Sequence, residues 1–406
     1  MAFPTHFRVL MAAGTLALAS CTTVPDANDT VPDSVAAQPS GALALLPILD
    51  DKAGPADNVV LSPLSIDLAF GLLHAGARGE TRAQIESILP TPRDPLNFET
   101  DQRDVEVLIS NALFLDDGYR FRREYIDETR RKFDAEPVAV EFGAKQASTD
   151  TINAWANDAT KGLIPKVITP DAIDDMTIAI LANALYFEGL WQTKLDRSAT
   201  RKFLFGNGTE RDFKFVGETF ATPHVAQDGW EAVRLPYRNT RYAMDILMPA
   251  RREVMDAAPS LARIEGLKQA LDADDADDLI KVEIPQFETD FAISLKDPLI
   301  ALGLTLPFDA LMADLTGIAE PGQRRPHVSD VRHVTKLQVY DEGTKAAAVT
   351  TISIVVTGAR IEPDNVIPFR ADRPFVVVLR DLERDAVLFI GRIADPQAFE
   401  PEVDEG

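Results

Sequence analysis

One cysteine in 406 residues, Cys21, rules out an internal disulfide, a Cys-x-x-Cys metal or redox pair and a cysteine-ligated cluster. The five histidines are scattered in sequence, and neither His-Glu-x-x-His nor Gly-x-Ser-x-Gly occurs. With no hydrolase motif and no metal or cofactor motif, the chain is not read as an enzyme and no cofactor is expected. Gly206-Asn207-Gly208-Thr209-Glu210-Arg211 lacks the last glycine of a dinucleotide loop and reads as a turn. The acid run Asp272 to Asp278 has Ala276, Asp277 and Glu283 at the fifth, sixth and twelfth positions of a would-be calcium loop, where glycine belongs at the sixth; it reads as a solvated acidic loop. Lysine and arginine total 41 against 64 acids, a net charge of -23, which excludes the basic footprint of a nucleic-acid binder and favours solubility.

No long apolar run is present either. Val9 to Ala19, after a weakly basic Arg8, falls short of the about 20 residues a bilayer span needs and reads as the apolar core of a signal peptide. It ends Leu18-Ala19-Ser20-Cys21, which resembles a bacterial lipobox, in which the cysteine becomes the lipid-modified first residue of the mature protein. Thr22 stands where an aspartate would retain the protein at the inner membrane, so this resemblance implies export and lipid anchoring at the outer membrane, on its periplasmic face or at the cell surface. The expected plan is a signal peptide over 1–20, a polar Pro-containing tether over 21–40, one folded domain over 41–397 and an acidic frayed tail over 398–406. Membrane contact is expected through the lipid alone, and the protein as a monomer.

The folded part is 46% hydrophobic over the chain, enough for a large core. Ser62-Pro63 opens a helix carrying Leu64, Leu68 and Leu72, with Gly76 and Gly79 at its end. Thr81-x-x-Gln84 reads as the capping box of a second helix. Helices are expected over 121–133, 148–160 and 295–302. Strands are expected over 105–115, 177–187, 230–236, 242–248, 280–287 and 333–340, with a last hairpin of 375–379 and 387–393. Helices early and strands late give an α+β fold with large sheets.

The segment Asp341-Glu342-Gly343-Thr344-Lys345-Ala346-Ala347-Ala348-Val349-Thr350-Thr351 is the most unusual. Its alanines could open a helix, but the β-branched run Thr350 to Val356 favours a strand, which then meets an exposed loop at Gly358 and Glu362 to Asn365. With Thr344 inward, period two places Ala346, Ala348, Thr350, Ile352, Ile354 and Val356 on the same face, all small or apolar; the one charge, Lys345, falls outside. A strand so sorted can be buried on one face without stranding a charge.

Five blocks now resemble the serpin family, in order. They are Asn58-Val-Val-Leu-Ser62-Pro63-Leu-Ser65-Ile; Gly76-Ala-Arg-Gly79-Glu-Thr81; Asn183-Ala-Leu-Tyr-Phe-Glu-Gly189-Leu-Trp191; Asp341 to Thr350; and Phe369-Arg-Ala-Asp372-Arg373-Pro374-Phe375 with the C-terminal Leu388-Phe-Ile-Gly391. The resemblance implies a large central mixed sheet, two further sheets, surrounding helices and an exposed reactive loop over about 341–368. It makes Asp341, Glu342, Gly343, Thr344, Ala346, Ala347, Ala348 and Val349 the hinge of that loop. Ser62, Ser65, Asn183 and His333 become a polar cluster beneath the point where central strands part, with Trp191 at the top of the opening. On their own residues, Trp191 would be core packing and His333 a satisfied buried histidine.

The resemblance further implies a suicide substrate for a serine protease: the protease acylates itself on the loop, the cut loop inserts as an extra strand, and the covalent complex is trapped. Counting seventeen residues from Asp341 puts the reactive bond at Thr357-Gly358; Arg360 ranks second and Val356 third. A small Thr357 suits an elastase- or subtilisin-like enzyme, Arg360 a trypsin-like one. A cysteine protease target, or a non-inhibitory binding or chaperone role, is the alternative.

Overall fold

A twelve-residue strand, Ala179–Leu190, has ten of its residues buried. A strand with no polar alternation fits a sheet covered on both faces. It belongs to a six-stranded main sheet ordered Phe287–Ser294, Asp330–Val339, Gly343–Thr344, Ala179–Leu190, Val105–Asp116 and Val138–Val140. We describe a computed structural model, over residues 41–90, 104–133, 135, 137–320, 325–344 and 365–399. A second, antiparallel six-stranded sheet runs Val59–Leu61, Ala386–Ile393, Phe375–Asp381, Tyr242–Pro249, Trp230–Pro236 and His224–Gln227. The third has four strands, Val366–Arg370, Leu279–Pro285, Glu210–Ala221 and Arg197–Leu204. Seven α-helices, the longest Lys145–Ala159 and Pro63–Gly76, surround the sheets among the described residues.

The Pro63–Gly76 helix is buried nearly all round. Ser62 caps it by accepting from the Ser65 amide at 3.4 Å, with Pro63 at the first helical position, where the missing N–H costs nothing. Phe70, Leu73 and Ile66 join an apolar layer with Leu181 and Leu113 of the main sheet, while Leu64 and Leu68 join a second layer containing Leu185 and Phe187. The helix start is thus held directly beneath the sheet centre.

Several expectations need correction. The second helix starts at Gly79 and takes no side-chain cap; Thr81 sits inside its first turn, where its hydroxyl accepts from Asp314 N at 3.0 Å, and Gln84 Oε1 accepts from Thr305 and Leu306 N. The pair ties two loops down instead of boxing an end. The single strand expected over 280–287 is two strands, Leu279–Pro285 and Phe287–Ser294, in different sheets. The acidic run is not wholly solvated: Asp272 closes the Leu261–Ala273 helix and pairs with Arg234 at 2.7 Å and Arg380 at 2.9 Å. The loop ends before 368, because Val366, Ile367 and Pro368 pair in parallel with Leu279, Ile280 and Lys281. Phe399 is docked, its ring edge-on to Tyr340 and its carbonyl accepting from Gln286 Nε2 at 3.0 Å. The strands Arg197–Leu204 and Glu210–Ala221 and the helices Leu45–Lys52 and Leu261–Ala273 were not anticipated.

Candidate functional site: an opening in the main sheet

The two central strands of the main sheet are paired over only half their length. Asp330 to Val334 run parallel to Ile180 to Ala184, with His333 opposite Asn183. Beyond Val334 no such pairing continues. At the far end Gly343–Thr344 lies between them instead, Thr344 opposite Val339 on one side and Gly189 on the other, Gly343 opposite Leu190. The sheet is closed below, open in the middle and occupied at the top by two residues.

The closed part is fastened by side chains. Asn183 Oδ1 accepts from Ser65 Oγ at 2.7 Å and from His333 Nδ1 at 2.9 Å, while its amide donates to Ser65 O at 2.7 Å and Asn111 Oδ1 at 2.5 Å. His333 Nε2 accepts from the Ser62 amide at 3.1 Å. This fixes the imidazole as neutral with its proton on Nδ1. Burial has the same effect, holding the His333 pKa down at about 3. Ser62, Ser65, Asn183 and His333 are 0–1% exposed. A buried polar network with every position satisfied is stiff and specific. It is also a barrier: a strand placed between Asp330–Val339 and Ala179–Leu190 would move those strands from about 4.8 Å to nearly twice that spacing, and the His333–Asn183 hydrogen bond would have to break.

At the top, Trp191 stacks on Tyr237 with ring centroids 4.5 Å apart, and its indole donates to Tyr340 O at 2.9 Å. Tyr237 Oη lies 2.8 Å from Thr344 Oγ1, and Thr344 is 1% exposed. The Trp191 and Leu195 amides each donate at 2.8 Å, to Glu342 O and Asp341 O. Lys194 Nζ reaches Glu342 at 2.7 Å, Asp341 at 3.4 Å and Asp196 at 3.6 Å. Partial burial opposes its charge, but the Glu342 hydrogen bond and the fields of Asp341, Glu342 and Asp196 outweigh this and raise its pKa. Asp341 to Thr344 are therefore clamped from backbone, side chain and core at once.

The arrangement is a sheet with a vacancy for one strand, already started. Serpin (serine protease inhibitor) is the family whose sequence pattern matches residues 37–396. The chain belongs to the serpin family. Sheep (Ovis aries) antithrombin-III is 30% identical, covering 87% of this chain and 80% of that protein. The leukocyte elastase inhibitor of Bos taurus is also 30% identical, covering 84% of this chain and 94% of that one. In structure, serpin-12 of Manduca sexta superposes with a TM-score of 0.74 at 23% identity, over 87% of this chain and 96% of that one.

In this serpin the structure brings the four expected residues Ser62, Ser65, Asn183 and His333 into one network, and Asp341 to Thr344 next to Trp191. Ala346, Ala347, Ala348, Val349, Val356, Thr357, Gly358 and Arg360 lie outside the described residues, as do Cys21, the 1–40 segment and the tail from 400. Sequence reasoning missed Asn111, Tyr237 and Lys194. Asn111 left only a slight signal, an asparagine in mid-strand, where that residue is depleted, beside Ser110 and in a strand that also carries Glu106. Tyr237 and Lys194 left none, because their partners lie 107 and 148 residues away.

Proposed function

We propose that this serpin inhibits a serine protease as a suicide substrate, with cleavage at Thr357-Gly358 releasing a strand that completes the main sheet. The observation that carries this reading is the seat of Thr344, buried between Gly189 and Val339 at the first rung of the vacancy. From Thr344 onward period two keeps Ala346, Ala348, Thr350, Ile352, Ile354 and Val356 on the buried face. The fourteen residues from Thr344 to Thr357 extend to about 46 Å at 3.3 Å each, enough to carry an attached protease along the sheet. The loop's two ends belong to different sheets, Thr344 to the main one and Val366 to the third. Cutting between them frees the first end to move while the other stays paired.

A small Thr357 directs the loop to elastase- or subtilisin-like enzymes, in keeping with a relative named for elastase inhibition. Cys21 carries the lipid, and the inhibitor works from the outer membrane. Incubation of the protein with elastase-, subtilisin- and trypsin-like proteases tests the reading. We expect a complex that survives denaturing electrophoresis and a released C-terminal peptide whose mass begins at Gly358. A mass beginning at Ile361 moves the bond to Arg360 and one beginning at Thr357 moves it to Val356; clean cleavage without complex by all three removes the inhibitory reading. The intact mass of Cys21 after export from a bacterial host tests the anchor.

A further inference from the structure

The large apolar side chains exposed among the described residues are Met176, Ile300, Leu311 and Met312, at 55%, 38%, 80% and 59%. All four lie at one end of the main sheet, away from the hinge. Ala179–Leu190 and Asp330–Val339 both begin at this end and run toward Thr344. Met176 directly precedes the first of them, where Ile178 N donates to Ser329 Oγ at 2.9 Å. Ile300 is on the Lys296–Ala301 helix, whose approach is fixed by Leu295 N donating to Val331 O at 2.8 Å. Leu311 and Met312 follow a turn tied to the same place by Val328 N donating to Pro307 O at 2.9 Å. Asp309 Oδ1 accepts from both their amides, at 2.8 and 3.0 Å, so the two side chains are held outward by a defined loop.

The domain's first described residue is at this end too. Gly41 N donates to Ile88 O at 3.2 Å, and Gln84 of the same Gly79–Ile88 helix binds the Thr305 and Leu306 amides, just ahead of Asp309. Cys21 is twenty residues upstream of Gly41, a contour of at most about 70 Å at 3.5 Å per residue.

We propose that this apolar end seats on the lipid surface to which Cys21 is anchored, a second membrane contact beside the lipid itself. The proposal rests on the anchored reading above. Scattered exposed apolar residues are ordinary, but four gathered at the pole where the chain enters, two of them adjacent, form an interfacial patch. A net charge of -23 directs it to a zwitterionic bilayer and away from an anionic one. The hinge then faces away from the lipid, toward arriving proteases. A fully inserted loop ends at the seated pole, so an acylated protease and the bilayer compete for it, and the tether alone keeps the complex at the surface.

The single cysteine lets docking be tested apart from natural lipidation. The mature chain, beginning at Cys21 with a free thiol, is coupled to a maleimide phospholipid in phosphatidylcholine vesicles. Met312 and Met176 are then followed by mass spectrometry under a membrane-impermeant oxidant. We expect both to oxidise severalfold more slowly than in the same chain capped with a small maleimide and mixed with the same vesicles. A Leu311→Ser variant should restore Met176 oxidation toward the free rate with unchanged inhibition in solution. Equal rates in coupled and capped chains overturn the proposal. So does protection without vesicles that rises with protein concentration, which assigns the patch to a second copy. An unmodified Cys21 after bacterial export would refute the anchor without altering this comparison.

Discussion

Thr344→Arg isolates the step at which the loop enters the sheet. Thr344 is 1% exposed, with its hydroxyl 2.8 Å from Tyr237 Oη, and Tyr237 is itself fully buried between Trp191 and Phe187. An arginine there meets the Tyr237 hydroxyl, and the acids just before it in the chain, Asp341 and Glu342, are already held by Lys194. Seating the side chain leaves an unpaired buried charge, which costs about 3–5 kcal/mol when a buried pair is broken. The arginine therefore leaves the seat that Thr344 occupies, and returning position 344 to it during insertion adds about 3 kcal/mol to the barrier, which slows capture roughly 100-fold. With the reactive bond at the proposed Thr357-Gly358, the acyl bond lies thirteen residues further on, so its hydrolysis rate stays as it was. The acyl-enzyme therefore partitions to cleaved product. The assay is the ratio of covalent complex to cleaved inhibitor on denaturing gels, with the molar ratio needed to abolish protease activity. Thr344→Ser keeps the hydroxyl and should keep inhibition; Thr344→Val strands the tyrosine hydroxyl at about 1 kcal/mol. An arginine variant that forms as much complex as the parent would refute the claim that Thr344 must be buried.

Three further outcomes follow from the same geometry. Lys194→Ala removes the ammonium that bridges Asp341 and Glu342; losing about 1 kcal/mol of partly screened pairing should speed hydrogen exchange of the Trp191 and Leu195 amides about fivefold, and unchanged exchange would show that the clamp does not need the charge. His333 has its folded pKa lowered to about 3, so its contribution is complete above the unfolded value of 6.5 and is lost as pH falls toward 3, by up to about 1.4 kcal/mol per pH unit. Denaturation followed from pH 7 to 4 should show that slope in the parent and a shallower one in His333→Gln; parallel curves would sink the assignment. Asp67 is the opposite case: burial raises its pKa to about 7, against the lowering effect of the Ala42 amide it accepts from at 2.9 Å. The fold holds a proton that the unfolded chain releases, so stability falls as pH rises from about 4 to 7, and Asp67→Asn should remove that fall; a constant offset between the two proteins over this range would refute it.

What could be read from the sequence was local. Ser62-Pro63 announced its helix because capping is a matter of neighbours, and the helix begins where expected. The last hairpin, Phe375–Asp381 with Ala386–Ile393, was legible because both strands are nearly wholly apolar around a short charged turn. Arg197–Leu204 was not. Its half-buried and exposed positions alternate, but Ser, Thr and Lys fill the exposed set and Arg197 and Arg201 half of the other, which reads as surface until its partner Glu210–Ala221 is known. Thr81 and Gln84 had the spacing of a box and were claimed by loops more than two hundred residues away. The site divides similarly. The inward phase of Thr344 follows from period two alone. The clamp on it comes from Tyr237 and Lys194, whose relation to the hinge exists only once the sheets have assembled.

Gly343 enters the hinge through the family resemblance, which names the residue without saying why it must be glycine. In the structure it does not use a positive φ, the one property that only glycine supplies cheaply. Its need for glycine is steric. A Cβ there would sit 2.1 Å from the Gly189 carbonyl oxygen and 3.0 Å from Leu190 Cα, both backbone atoms that cannot turn aside. Gly189 in turn is hemmed in from another side, since a Cβ on it would meet the Tyr237 ring at 2.7 Å. Three chain segments distant in sequence thus meet at van der Waals limits: the hinge, the central strand and the tyrosine that holds Thr344. Gly343 allows the first rung to close, and the buried hydroxyl pair beyond it sets the direction in which the next rungs must follow. The hinge works as a seat for the start of a strand, and a loop that enters it with Thr344 inward has no other register in which its apolar face is buried.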